Sequence, residues 1–257
     1  MDRRRACDRR GRGATLKQVT LELGGKSAAL ILPDADLDRL VYTLPINVCN
    51  NNGTQRTNPI RLTVPESRKD EIIGALVEAF ARLKVGGPHA PDTMVGPMIN
   101  KAHYDRVLGF FETTRQEGAT FAVGGDHAPG FDKGYYVSPT IITDVSPDSR
   151  VAQEEIFGPV TAVLTYRDEA EAIRLANDTE FGLSCVVYSS DEQHALEVAR
   201  KIRSGTVSIN NGITLDLAVP FGGVKQSGYG RELAPEGLDA YYNTHAIFLD
   251  GEPVVTL

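Results

Sequence analysis

VTAVLTY (Val160–Tyr166), DEAEAIRLAN (Asp168–Asn177), LSCVVYS (Leu183–Ser189), DEQHALEVARKI (Asp191–Ile202) and GTVSIN (Gly205–Asn210) follow one another with only short gaps. The first, third and fifth are apolar runs of strand length, and their near-continuous hydrophobicity is that of strands covered on both faces. The second and fourth, about ten residues each, read as helices. Strands joined by helices of about ten residues imply right-handed crossovers and parallel pairing. The expected fold is therefore α/β: an open, largely parallel, twisted sheet flanked by helices.

The rest of the chain extends this pattern. SAALIL (Ser27–Leu32), IRLTVP (Ile60–Pro65), VTLEL (Val19–Leu23) and Tyr136–Val145 read as further strands. Leu37 to Cys49 reads as a helix bent by Pro45. Ile72, Ile73, Leu76, Val77, Phe80 and Leu83 share one helical face, with Ser67 and Asp70 as a capping-box start and Gly86-Gly87-Pro88 as the stop. A second helix is expected over Lys101–Glu117, and a Gly/Asp/Pro-rich loop from Gly124 to Gly134. The domain expectation is a basic, disordered segment at 1–15, one domain at 16–240 and a short C-terminal segment at 241–257.

Length and composition narrow the function classes. With 257 residues, 41% hydrophobic and 24% charged, the chain has enough apolar material for a large buried core. Its net charge of −7 opposes general attraction to nucleic acid or anionic lipid, although residues 1–12 hold six arginines against two aspartates. No apolar run reaches the roughly 18 residues of a membrane span, and the basic N-terminus lacks the apolar stretch of a secretory signal. Cys7, Cys49 and Cys185 are odd in number and widely spaced, as suits reduced thiols in a cytoplasmic protein. The five histidines show no metal-ligand spacing, so no metal is expected. GGKS (Gly24–Ser27) is not a phosphate loop, because Thr20 stands where that motif requires glycine. No complete GxGxxG follows a strand.

Three motifs occur in one order: LELGGKS (Leu21–Ser27), EEIFGP (Glu154–Pro159) and PFGGVKQSGYGRE (Pro220–Glu232). With SPTIITDV (Ser138–Val145) and ANDTEFGLSCVVYS (Ala176–Ser189), they resemble the aldehyde dehydrogenase superfamily from about Leu16 to the C-terminus. The resemblance implies NAD(P)-dependent oxidation of an aldehyde to a carboxylic acid, through attack by a cysteine thiolate. It makes Glu22 the general base of thioester hydrolysis, with a strand-end or N-cap carboxylate as the structural alternative. It places Glu155 and Phe157 against the nicotinamide ribose and ring, and the Leu23 and Gly24 backbone along the nicotinamide side. Phe221 would wall the substrate tunnel and Glu232 would relay protons to Glu22; for both, a structural role stands as an equal alternative.

The resemblance breaks at one position. The family's nucleophile lies in a segment like NxGQxCxAxxRxLVP, and the matching text here is NNGTQRTNPIRLTVP (Asn51–Pro65), which puts Arg56 where the cysteine belongs and Thr54 where glutamine is usual. A guanidinium has no acceptor lone pair and keeps its proton in proteins, so Arg56 cannot attack a carbonyl. Cys49 lies seven residues upstream, about two helical turns or roughly 10 Å away, outside near-attack range; a buried structural thiol is the expected role.

The chain also begins shortly before LELGG, so the resemblance implies an N-terminally truncated member with half a site for NAD or NADP. Several expectations follow: an impaired or inactive pseudoenzyme, a scaffold subunit that pairs with itself or a full-length homologue through its C-terminal segment, or an altered enzyme in which Arg56 binds an anionic substrate. Arg56 and Glu22 are expected to form a partly buried ion pair in the old active site.

Overall fold

The computed structural model describes residues 17–212 and 215–253; the basic segment 1–15 and Cys7 lie outside the described residues. Two compact units emerge. The larger comprises 21–214 and 222–229, the smaller 1–20, 215–221 and 230–257.

The larger unit is built on seven strands: β2 (Ala28–Ile31), β3 (Arg61–Pro65), β4 (Thr120–Val123), β5 (Thr140–Thr143), β6 (Val160–Tyr166), β7 (Ser184–Tyr188) and β8 (Thr206–Ile209), in the order β4-β5-β6-β3-β2-β7-β8. All neighbours pair in parallel except β4 with β5. The expected sheet is therefore present, with an antiparallel edge strand that the sequence pattern did not reveal. Thr120–Val123 is only partly buried and alternates too briefly to stand out.

Alternation of side chains along the strands divides the core into two layers. Ala28, Leu30, Ala162, Leu164, Cys185 and Val187 share one face with buried residues of α3 (Lys101–Gln116), α5 (Glu169–Asn177) and α6 (Glu192–Ala199). Ala29, Ile31, Leu62, Val64, Val186 and Tyr188 share the other with α1 (Leu37–Cys49) and α2 (Lys69–Ala81). Pro45 lies inside α1, as expected. The expected capping box at α2 is not formed: a 3₁₀ turn at Glu66–Arg68 precedes the helix, and Arg68 occupies its N-cap without a side-chain cap. Asp36, Asp168 and Asp191 do cap α1, α5 and α6 through their side chains. A four-residue helix, α4 (Arg150–Gln153), precedes the EEIFGP segment. Among the described residues no helix is long and apolar enough to cross a membrane.

In the smaller unit, α7 (Ala234–Leu238) precedes a hairpin of β10 (Phe248–Leu249) and β11 (Glu252–Pro253). Phe221 and Glu232 exchange both backbone hydrogen bonds there, at 2.8 and 2.7 Å.

Candidate active site

Strand β1 (Leu21–Glu22) pairs antiparallel with β9 (Gly228–Tyr229). Leu23 N–H donates to Ser227 O at 2.9 Å, and Ser227 Oγ donates to Gly24 O at 2.7 Å. LELGG and KQSGYG, distant in sequence, thus form one backbone unit. Glu22 sits in a strand, so the N-cap alternative for it does not apply.

The two glycines after Leu23 make room for a third motif. Gly25 N–H donates to Glu155 Oε1 at 2.9 Å, and a Cβ on Gly24 would collide with the Glu155 carboxylate. A Cβ on Gly25 would lie 2.5 Å from the Arg56 carbonyl oxygen. The glycines are needed because a carboxylate and a foreign backbone close on them from two sides. Beyond Glu155, Phe157 adopts a left-handed φ of 65°; its carbonyl accepts from His103 Nε2, and its ring lies 5.8 Å from the His103 ring.

Arg56 follows a tight reversal in which Asn51, Asn52 and Gly53 take successive φ values of 50°, 60° and 72°. Asparagine and glycine are the residues that adopt this conformation at least cost. Asn52 Oδ1 accepts from Gly96 N–H at 2.6 Å, and Asn58 Nδ2 donates to the carbonyls of Val48 and Asn50, pinning the turn from both sides. The Arg56 guanidinium is thereby delivered to β1: Nη2 lies 3.5 Å from Glu22 Oε2, and Nη1 donates to Leu23 O at 3.2 Å. The expected ion pair is formed. Glu22 is 11% exposed but Arg56 is 38% exposed, so solvent screens the pair and its worth is about 0.5–1 kcal/mol. Arg56→Ala should lower thermal stability by that amount, and unchanged melting would show that Glu22 does not depend on Arg56.

The structure therefore gathers Glu22, Leu23, Gly24, Arg56 and Glu155, with Phe157 two residues along the chain from Glu155. Phe221 and Glu232 belong to the smaller unit. Neither described cysteine approaches the role of a nucleophile. Cys49 and Cys185 are both buried free thiols, and burial raises both thiols well above the ordinary range. Among the described residues no group of three His, Cys, Asp or Glu is placed to hold a metal ion.

Two buried cations beside this site were not singled out from the sequence. Arg61, fully buried in β3, donates through Nη1 to Asp178 O at 2.7 Å; a charged residue inside the apolar run IRLTVP was the available signal. Lys26, 2% exposed, has an ammonium nitrogen without a hydrogen-bond partner among the described residues. Burial, then the neighbouring Arg61 charge, lowers the Lys26 amine from 10.5 to about 7. Between those two values the unfolded chain binds the extra proton, so Lys26 makes stability rise with pH across that window. Lys26→Met should remove this rise. Urea unfolding at pH 7 and pH 9 should show the variant's advantage over wild type shrinking as pH increases, and a constant difference would refute the assignment.

Comparison with known proteins accounts for this convergence of motifs. The profile of the aldehyde dehydrogenase family matches residues 7–247. The chain belongs to the aldehyde dehydrogenase family. It is 46% identical over 236 residues to a geranial dehydrogenase of Castellaniella defragrans, covering 92% of this chain and 49% of that protein. It is 40% identical over 240 residues to a betaine aldehyde dehydrogenase of Brucella anthropi, covering 93% and 49% respectively. An aldehyde dehydrogenase of Bacillus cereus, solved as its NAD+ complex, superposes with a TM-score of 0.87 at 39% identity, covering 91% of this chain and 47% of that one. A Mycobacterium tuberculosis aldehyde dehydrogenase complexed with NAD+ gives 0.89 at 40% identity, covering 92% and 49%. The chain thus spans about half the length of the curated relatives it matches. The Glu22, Arg56 and Glu155 cluster lies within the part shared with the family.

Proposed function

We propose that this chain is a catalytically silenced aldehyde dehydrogenase, a pseudoenzyme whose fold descends from NAD(P)-dependent oxidation of an aldehyde to a carboxylic acid. The observation that carries this reading is Arg56, at the nucleophile's place in the motif, with its guanidinium 3.5 Å from Glu22. Family chemistry requires a thiolate at this place to form a bond to the aldehyde carbon. Arg56 offers no lone pair for that bond. It also sets a cation against the Glu22 carboxylate, the group assigned to take a proton from water.

The residues present fit the nicotinamide end of NAD or NADP. The Glu155 carboxylate offers acceptors for ribose hydroxyls, Phe157 offers an aromatic face, and Gly24 leaves the approach to Glu155 free of side-chain bulk. When bound, the cofactor supplies a hydride acceptor; Glu155, Phe157 and the Leu23–Gly24 backbone would hold and orient it. Phe221 as a tunnel wall and Glu232 as a relay to Glu22 complete the assignment, against the purely structural role that their mutual backbone pairing supports. Assay of NAD(P)H formation from aldehydes tests the proposal, and thiol-dependent turnover by the unmodified chain would remove it.

The second reading is a non-catalytic subunit that pairs with itself or with a longer homologue. It is favoured by the C-terminal hairpin segment, which exposes Tyr241, Ile247, Phe248 and Leu249. Exposed apolar side chains in succession mark an association surface. Light scattering, alone and with an active homologue, tests it; a strictly monomeric, non-interacting chain would end it.

A further inference from the structure

Asparagine followed by glycine occurs twice in the chain, at Asn52-Gly53 and at Asn211-Gly212. Asparagine is a thermolabile residue. It is most so before glycine, because no side chain hinders the following backbone nitrogen as it bends back onto the asparagine amide. The fold gives the two pairs opposite settings.

At the first pair the amide is tied at both ends and turned away from its own backbone. Asn52 Oδ1 accepts from Gly96 N–H at 2.6 Å, and Asn52 Nδ2 donates to Pro97 O at 3.4 Å. Gly53 is buried in the pinned reversal, with its backbone packed against Gly158. Closing a ring between the Gly53 nitrogen and the Asn52 side chain would break both bonds and move that backbone.

The second pair lies just past the end of β8, where Asn211 is exposed. Here the amide is turned onto its own chain: Gly212 N–H donates to Asn211 Oδ1 at 2.8 Å. With a C=O bond of about 1.23 Å, Asn211 Cγ lies within about 4 Å of that nitrogen, close to the roughly 3–3.5 Å of a near-attack arrangement. The backbone leading into the pair is held. Asn210 Oδ1 accepts from Ser189 N–H at 2.9 Å, Asn210 Nδ2 donates to Ser189 O at 2.8 Å, and Ser208 Oγ donates to Asn211 O at 3.0 Å.

We propose that Asn211 is a site of spontaneous deamidation in the folded protein and that Asn52 is protected from it. The Gly212 nitrogen gives its proton to hydroxide and bonds to Asn211 Cγ. The Cγ–Nδ2 bond breaks, and Nδ2 leaves as ammonia after taking a proton from water. Water then opens the resulting succinimide at either carbonyl, leaving aspartate or isoaspartate. The product carries a carboxylate in place of a neutral amide beside α1, whose Asn47 already packs closely on Gly212. The proposal is independent of the reading of Arg56.

The test is peptide mass spectrometry of the whole chain after incubation at pH 7 and pH 9, folded and in urea, reading the replacement of –NH2 by –OH at each pair. In urea the two pairs should convert at similar rates. In samples that still melt cooperatively, Asn211 should stay within a few-fold of its unfolded rate while Asn52 falls on the order of a hundredfold below its own. The Asn211 rate should rise with pH, because the attacking nitrogen must lose its proton. Asn211→Gln should remove the signal at that pair and leave Asn52 unchanged. Protection of Asn211 as strong as that of Asn52, or conversion of Asn52 as fast as Asn211 in the folded samples, would overturn the assignment.

Discussion

The purified chain should form no NADH or NADPH from a panel of aliphatic and aromatic aldehydes, and any residual signal should be unaffected by iodoacetamide. Loss of a covalent nucleophile costs on the order of 10⁶-fold where it has been measured in a hydrolase. Nothing in this site offsets it, because Arg56 supplies no lone pair and is not deprotonated in proteins. Arg56→Cys should place a thiol at the head of β3 that alkylates much faster than Cys49 or Cys185, both buried. It should also raise NAD(P)H formation above the wild-type background, while Arg56→Ser should not. Thiol-dependent turnover by the wild-type chain would show that another cysteine serves. A thiol at position 56 that alkylates no faster than the buried pair would show that this position does not face an open site.

Gly53→Ala should be strongly destabilising. Gly53 has a φ of +72°, and a Cβ there would collide with the Gly158 carbonyl and the Pro159 nitrogen, which are backbone atoms that cannot rotate away. Left-handed strain and the forced parting of two backbone segments together should cost about 3 kcal/mol or more. For a domain of this size that corresponds to roughly 6–12 °C in Tm. Gly74→Ala is the control. Gly74 lies inside α2, where a new Cβ meets nothing within 4 Å, and it should stabilise by about 0.5–1 kcal/mol. Differential scanning calorimetry of the two variants checks both signs. A Gly53→Ala protein that melts with wild type would mean the Asn51–Gly53 reversal is not held against Gly158 in solution.

The same contact shows why part of the site was legible in sequence and part was not. The proposed place of Arg56 in the family motif could be read directly, because NNGTQ and RLTVP flank it at fixed spacing and leave little freedom in alignment. Its pairing with Glu22 followed from chemistry alone, since two opposite charges assigned to one pocket should meet. The closure of Glu155 onto Gly24 and Gly25 was not legible. It depends on a hydrogen bond from the Gly25 N–H to the Glu155 carboxylate, 130 positions apart, and no local pattern encodes that distance. Lys26 was dismissed as part of a failed phosphate loop, yet it is among the most deeply buried charged groups near the site.

Local periodicity fixed the identity of most elements, because burial on one helical face or both strand faces leaves a repeating apolar signature. Residue chemistry fixed that Arg56 offers no lone pair for attack on a carbonyl, because lone pairs and protons belong to residue types rather than to folds. Strand order, the antiparallel β4 edge and the 3₁₀ start of α2 were decided only in three dimensions, where packing outweighs weak local preference. Tertiary structure likewise decided that Lys26 is buried beside Arg61 with no hydrogen-bond partner for its nitrogen among the described residues. Electrostatic energy depends on distance and burial, and both are set by the folded chain rather than by the order of its residues.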